Sequence, residues 1–227
     1  MKKLFLPLLA LLMLPFAWSC SSSRLANYTL TEQDAADAIR QLLQFGTEGG
    51  VRGNAFAKQN IINTVFPEQV AKVLNTANDL GLSKDLDKFT TTLSTAATAS
   101  VERSVPVFAG AITGMRLSDA MSLVKGGGSS ATEYLKSQTS SQLLTALRPV
   151  METALAEYKL NTMWDDLTKP IKNTGLGSRL NLDLSNLMAI AVRDAMFRKM
   201  AEKEAEIRNN ASARTTPLLQ RVFGRSW

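Results

Sequence analysis

Apolar residues recur every three or four positions along most of the chain, and this spacing is typical of amphipathic α-helices. In the first predicted helix, Ala35, Ile39 and Leu42 follow a cap-like start at Thr31. Further helices are predicted to begin near Pro67, Ser83, Pro106, Ser118, Ser129 or Ser130, Ser140 or Ser141, and Ser185. No stretch alternates apolar and polar residues for long enough to predict a strand. The pattern therefore predicts an all-α fold, with a single bundle-like domain of about seven to nine helices over residues 28–227.

Prolines and glycines are expected to interrupt these helices. Pro106 is predicted to start or kink one helix, and Pro149 is predicted to bend another. Residues Thr168 to Asn181 contain proline and glycine and are predicted to form a loop. The longest helix should follow it, from Asn186 to about Asn209, with Ser185 as its cap.

The N-terminal segment has a different pattern. Two lysines, Lys2 and Lys3, precede a run without charge from Leu4 to Ser23. A basic start followed by a short apolar stretch is typical of a secretory signal peptide. The apolar part is shorter than the roughly 20 residues that a helix needs to cross a bilayer. It ends in a small-x-small cleavage site, Ala17 to Ser19, so residues 1–19 are predicted to be a signal peptide.

The single cysteine, Cys20, directly follows this predicted cleavage site. Its position resembles the bacterial lipoprotein signal, in which the cysteine receives acyl chains such as palmitate and becomes the mature N-terminus. Residues 20–27 would then be the lipidated cysteine and a Ser-rich tether. The resemblance to lipoprotein sorting signals also implies that Ser21, in place of an aspartate, directs the protein to the outer membrane, with the domain facing the periplasm. Three other interpretations stay open: an incidental residue in a cleaved peptide, an uncleaved signal anchor, and a free thiol.

Composition narrows the chemistry that the chain can carry. There are 26 basic and 20 acidic residues, and the basic excess is spread along the chain, so no nucleic-acid partner is predicted. Histidine is absent, which removes the usual general base, the usual partner of a nucleophilic serine or cysteine, and the commonest metal ligand. The sequence therefore predicts neither a metal site nor a cofactor, and an enzyme is disfavoured.

Several motifs resemble a known bacterial family. The stretches "FPEQVAKVL", "GLSKDLDKF" and "GGGSSATEYLKSQTSSQL" occur in this order and are followed by "MAEKEAEIRNNASARTTPLLQRVFG". From about Ala35 to Gly224 they resemble the domain-of-unknown-function family DUF4197. The resemblance implies a helical, often secreted or lipid-anchored protein, and it implies no particular activity. The chain departs from the family pattern at Ser129 and Ser130, where acidic residues are common, and at residues 94–98, where only the alanines of an Asn-Arg-Ala-Ala-Glu run remain.

The first candidate site is the turn before the helix predicted near Ser129. Gly127, Ser129 and Thr132 lie at a helix start, where free backbone N–H groups can bind an anion. The chain lacks the strand and the Lys-Ser/Thr ending that accompany a phosphate-binding loop. A helix–helix corner capped by a serine is the alternative interpretation.

The second candidate site is the segment at the end of the longest predicted helix. Glu204 lies four residues before Arg208, so an ion pair on one helix face is predicted. Arg208 and Arg214 flank the helix end, where cations interact favourably with free carbonyl groups. Together with Thr215, these residues are predicted either to fasten the C-terminal tail across the bundle or to form a polar pocket for an acidic ligand or a partner.

We therefore expect a lipid-anchored protein of the cell envelope, attached to the membrane through acylated Cys20. Its expected role is that of a non-enzymatic interaction or structural accessory protein, with an envelope protein as its partner. The alternative is a periplasmic carrier that holds a lipid or another small ligand between its helices. A third hypothesis, an envelope enzyme that uses carboxylates, has no nucleophile–base pair to support it. An enclosed apolar cavity would favour the carrier, an apolar surface patch the interaction protein, and convergent buried carboxylates the enzyme.

Overall fold

A computed structural model describes residues 28–51, 55–75, 81–114, 116, 118–172 and 182–227. The predicted signal peptide, Cys20 and the tether lie outside these residues. The described part of the chain forms nine α-helices and no strand, which confirms the predicted all-α fold. The helices are α1 (Glu32–Val51), α2 (Ile61–Val65), α3 (Glu68–Asn75), α4 (Ser83–Gly114), α5 (Ala120–Lys125), α6 (Ser130–Glu157), α7 (Leu160–Lys172), α8 (Leu184–Asn209) and α9 (Pro217–Phe223), with short 3₁₀ turns at Lys58–Asn60 and Ala211–Ala213.

Helix α8 runs through the bundle and packs against α1, α4 and α6. A helix with buried residues around much of its circumference lies among its neighbours rather than on the surface. In α8 the buried apolar residues are Leu184, Met188, Ala189, Ala191, Val192, Ala195, Met196, Phe197, Met200 and Ile207. Helix α1 approaches α8 closely at Gly46, where an added Cβ would lie 2.9 Å from the Cα of Met200. The lack of a side chain at Gly46 therefore allows this close crossing.

The predicted helix start at Ser140 or Ser141 is wrong, and of the two alternatives for Pro106, a helix start or a kink, the structure excludes the start. Helix α4 is continuous from Ser83 to Gly114 and contains Pro106. Helix α6 contains Pro149 and continues through the predicted start at Ser140 or Ser141. One face of α6 stays in the core across this point, and burial of that face outweighs the local serine signals. The buried apolar residues of this face are Leu135, Leu143, Leu147 and Met151.

The predicted loop from Thr168 is also wrong in its first residues, because α7 continues to Lys172. The rest of that loop, residues 173–181, lies outside the described residues. Thr168 is fully buried, and its hydroxyl donates a hydrogen bond of 2.7 Å to the carbonyl of Trp164. The indole of Trp164 stacks on Phe66 with ring centroids 5.1 Å apart. This packing keeps the chain helical beyond the point where the sequence predicts a loop.

The N-cap of α8 is Asp183 and not Ser185, as the sequence predicted. The backbone N–H of Asn186 donates a hydrogen bond of 3.0 Å to Oδ1 of Asp183, and the Ser185 hydroxyl donates one of 2.5 Å to the same oxygen. These bonds, with the Ser185 hydroxyl as the larger cause, lower the pKa of Asp183 below its ordinary value of 3.8. The ionised carboxylate of Asp183 therefore caps the helix.

Buried hydroxyl groups in the core bind carbonyls of their own helices. Thr90, Ser100 and Ser104 in α4 and Thr139 in α6 each donate a hydrogen bond to the carbonyl four residues earlier, at 2.6–2.9 Å. Each bond supplies a buried hydroxyl with an acceptor inside its own helix. These threonines and serines can therefore pack in the core without a ligand.

Candidate functional site

The first turn of α6 is capped by a carboxylate from another helix. The N-cap residue, Ser129, makes no side-chain capping bond. Instead, the N–H groups of Ala131 and Thr132 donate hydrogen bonds of 3.0 and 2.8 Å to the two carboxylate oxygens of Glu204 in α8. The Thr132 hydroxyl adds a third bond of 2.7 Å. Because the first N–H groups of a helix have no partner within it and carry partial positive charge, they suit a fully buried carboxylate.

The charge of Glu204 is balanced by Arg208, one turn further along α8. Nε and Nη2 of Arg208 lie 2.9 and 2.7 Å from Oε1 of Glu204, which is the ion pair that the spacing predicts. The Arg208 side chain is only 7% exposed. It also donates hydrogen bonds to the carbonyls of Leu123 and Val124 at 2.8 and 2.9 Å, and its guanidinium lies 5.0 Å from the ring centroid of Phe223. We call Glu204, Arg208 and the groups that they bind the Glu204–Arg208 clamp.

The clamp joins four helices, because α8 supplies the ion pair, α6 the N–H groups, α5 the carbonyls and α9 the aromatic ring. Glu204 accepts five hydrogen bonds in all, three from α6 and two from Arg208. A carboxylate has about four lone-pair sites for acceptance. Glu204 is therefore saturated with internal donors, and the arrangement suits a structural tie better than general-base chemistry.

Arg214 follows α8 in the chain and binds the C-terminal end of that helix. Its Nε donates a hydrogen bond of 2.8 Å to the carbonyl of Ile207, and its Nη2 donates one of 2.7 Å to the carbonyl of Arg208. The last carbonyls of a helix have no intrahelical partner, so these bonds cap its C-terminus. Thr216 then caps α9 and donates a hydrogen bond of 2.6 Å to Gln41 of α1.

The structure brings Glu204, Arg208 and Arg214 together, and it places Thr215 apart from them. Thr215 is exposed and lines a separate cleft. The predicted anion-binding turn lies at the clamp, where Thr132 binds Glu204 and Gly127 has a positive φ of 66°. The N–H groups of α6 that could receive an external anion thus hold the protein's own carboxylate.

Sequence reasoning missed the groups that complete the clamp. The hydroxyl of Ser130 donates a hydrogen bond of 3.0 Å to the carbonyl of Leu123 and accepts one of 3.1 Å from Arg208. One signal was present: Glu204 lies on the helix face of Met200 and Ile207, where the pattern expects an apolar residue. A charged residue in such a stripe indicates a buried partner.

A cleft of about 540 Å³ lies between α1 and the second half of α8. It is lined by Phe45, Glu48 and Gly49 from α1, Lys199, Glu202, Lys203 and Glu206 from α8, and Ala213 and Thr215. Two ion pairs run along its α8 side, Lys199 with Glu202 at 2.6 Å and Lys203 with Glu206 at 2.8 Å. We call it the α1–α8 cleft.

Neither a metal site nor a membrane-spanning helix was found in the described residues. In that part of the chain, no three carboxylates or thiols lie close enough together to bind a metal ion. None of its helices has both the length and the apolar character that crossing a bilayer requires.

Comparison with known proteins identifies one matching family. The family model described as "Protein of unknown function (DUF4197)" matches residues 29–224, a range that includes every helix from α1 to α9. No curated protein and no solved structure matches the chain.

Proposed function

We propose that this chain, which belongs to the DUF4197 family, is a lipid-anchored protein of the cell envelope whose non-enzymatic role is to bind a polypeptide partner in the α1–α8 cleft. The anchor is an acylated Cys20, and the domain faces the periplasm from the outer membrane. The lining of the cleft carries this proposal, because acidic, basic and aromatic side chains surround the same open space.

The α1–α8 cleft can exchange its own contacts for those of a partner. Its two ion pairs are exposed, and exposed ion pairs contribute little to stability, at most about 1 kcal/mol each. Charged groups of a partner can therefore replace them at small cost. Glu48 is exposed and has no ion-pair partner among the described residues, and half-buried Phe45 offers an apolar contact. A peptide segment with basic and apolar side chains fits this combination.

The other two functions have less support from the described residues. A carrier needs an enclosed apolar cavity, whereas the α1–α8 cleft is open and lined by charged side chains, which favours a polar partner over a stored lipid. An enzyme that uses carboxylates needs one with a free lone pair, and the buried carboxylate of Glu204 already accepts five hydrogen bonds.

The anchor is tested by metabolic labelling with a fatty acid. Labelled palmitate should enter the wild-type chain and not Cys20→Ser, while both chains are made in similar amounts. If both variants carry label, or neither does, Cys20 is not the attachment point.

The cleft is tested by site-specific photo-crosslinking in cells. A photoreactive amino acid at Glu202 should give a discrete adduct with a second polypeptide, whereas the same amino acid at Glu152, exposed on α6, should not. Charge reversal by Glu48→Lys should weaken the adduct. Equal adducts at both positions, or none at Glu202, would contradict the proposal. Native mass spectrometry of the full chain gives the opposing test, because a small molecule released on denaturation would favour the carrier.

A further inference from the structure

The last described residues fold back over the first. The indole of Trp227 packs edge-on against Tyr28, with ring centroids 6.1 Å apart, and its N–H donates a hydrogen bond of 2.6 Å to the carbonyl of Val222. The guanidinium of Arg225 lies 5.5 Å from the ring centroid of Tyr28 and donates a hydrogen bond of 3.3 Å to the Tyr28 carbonyl. We call the surface of Tyr28, Lys125, Arg225 and Trp227 the tail face.

The tail face combines exposed Lys125 and half-buried Arg225 with an exposed aromatic ring. Trp227 is 40% exposed and is the one large apolar side chain exposed in the described part of the chain. Beside it lies a cleft of about 330 Å³ whose lining includes Lys125, Arg225 and Arg208, and no described residue of this lining has a carboxylate side chain. Glu204 neutralises Arg208 within the clamp, whereas Lys125 and Arg225 form no ion pair with any other described residue.

This combination matches the chemistry of a phospholipid surface. Tryptophan is enriched at the level of lipid headgroups, because its ring is apolar and its N–H group is polar. Lysine and arginine near an anionic leaflet each gain about 1 kcal/mol from its surface potential. The bonds of Trp227 to Val222 and of Arg225 to Tyr28 hold both side chains in place, so little conformational freedom is lost on contact.

The position of the proposed anchor directs the tail face toward the bilayer. Cys20 precedes Tyr28 by eight residues, and a chain spans at most about 3.5 Å per residue. The surface at Tyr28 is thus held within roughly 28 Å of the lipid attachment point. We propose that the tail face lies against an anionic phospholipid bilayer, with Trp227 at headgroup depth and Lys125 and Arg225 on lipid phosphates. This inference rests on the proposed anchoring through Cys20.

The test uses the full chain, purified from membranes in detergent and reconstituted into vesicles of phosphatidylethanolamine and phosphatidylglycerol. Spin-labelled lipids in these vesicles quench the fluorescence of tryptophans at headgroup depth. The fluorescence of Trp227 should be quenched, and the quenched part of the emission should be missing from Trp227→Phe. Trp164, which is 4% exposed, should stay unquenched and serves as an internal reference. Lys125→Gln with Arg225→Gln should lower the equilibrium constant for contact with the bilayer about fivefold for each charge removed, and the quenching should fall with it. The matched control is Lys84→Gln with Lys88→Gln, two exposed lysines at the start of α4, which should leave it unchanged.

The possible outcomes distinguish a failure of the tail-face proposal from a failure of the anchor proposal. A chain that floats with the vesicles and shows no quenching of Trp227 overturns the tail face and leaves the anchor intact. Equal quenching in neutral phosphatidylcholine vesicles overturns the role of Lys125 and Arg225. A chain that does not float, and carries no palmitate label, overturns the anchor and with it the tether that directs this surface to the membrane. A crosslink from position 227 to another polypeptide, with no quenching, assigns the surface to a protein partner instead.

Discussion

Replacement of Glu204 by alanine should destabilise the domain more than replacement of an exposed glutamate in the same helix. Glu204 is fully buried and accepts the N–H groups of Ala131 and Thr132, the Thr132 hydroxyl, and the guanidinium of Arg208. Alanine at this position leaves all of these donors without their acceptor. It also leaves the charge of Arg208, whose side chain is 7% exposed, without a counter-charge.

The magnitude follows from the burial of the pair. Removal of one partner from a buried ion pair costs about 3–5 kcal/mol, because the remaining charge stays desolvated. Each buried donor left without an acceptor costs about 1–3 kcal/mol if water cannot reach it. Arg208 keeps its bonds to the carbonyls of Leu123 and Val124, which offsets part of the loss. We therefore expect a loss of about 4 kcal/mol, which is a large share of the roughly 5–15 kcal/mol by which domains are stable.

The assay is urea unfolding of the full chain in a mild non-ionic detergent, followed by circular dichroism in the helical region. Glu206→Ala is the matched control, because Glu206 lies in the same helix, makes an exposed ion pair of 2.8 Å with Lys203, and should lose less than about 1 kcal/mol. Glu204→Gln keeps the volume but replaces one oxygen acceptor with a donor, so most of the loss should remain. Similar midpoints for Glu204→Ala and Glu206→Ala would refute the reasoning, and a fully stable Glu204→Gln would show that volume matters and hydrogen bonding does not.

Three further changes should have measurable effects on unfolding. Arg214→Gln removes the guanidinium that binds the last carbonyls of α8 and should cost about 1–2 kcal/mol in the same urea assay, and an unchanged midpoint would contradict its capping role. Gly46→Ala places a Cβ 2.9 Å from the Cα of Met200 and should cost about 1–3 kcal/mol, whereas Gly49→Ala in the same helix meets open space and should be neutral or stabilising by up to about 1 kcal/mol; equal effects would contradict the close crossing. The lowered pKa of Asp183 means that its stabilising contribution is complete above its ordinary pKa of 3.8 and is lost as the pH falls through the lower folded-state pKa. Asp183→Asn should therefore flatten the acid side of a plot of urea midpoint against pH, and an unchanged slope would count against this carboxylate as the cap.

Local spacing predicted those features whose interacting residues lie within a few positions of each other in the sequence. The cap at Thr31 is present, since its hydroxyl oxygen accepts a hydrogen bond of 3.0 Å from the N–H of Asp34. The spacing of Glu204 and Arg208 predicted their ion pair for the same reason. The cap of α8 was misassigned because Asp183 and Ser185 are both good capping residues two positions apart, and spacing alone does not rank them.

Contacts between distant segments could not be predicted from spacing. The serines at 140 and 141 look like a helix start, but the buried leucines on either side, Leu135 and Leu143, hold α6 continuous. Likewise, the partner of Glu204 in α6 lies 72 residues earlier in the chain, and no periodicity within α8 identifies it. The position of Glu204 in an apolar stripe predicts that Glu204 is buried. Which groups donate hydrogen bonds to it depends on how the helices are arranged.

The capping of α6 by Glu204 has a consequence for the order of folding. A helix whose cap lies next to it in sequence can begin to form as soon as that segment exists. The first turn of α6 is capped by a carboxylate that lies 72 residues later in the chain, beyond α7 and most of α8. A contact at this separation costs chain entropy before its hydrogen bonds can compensate for the loss. The start of α6, the end of α5 and the tail should therefore become ordered together, late, when α8 docks. A nascent chain that ends before residue 204 lacks the group that completes this step.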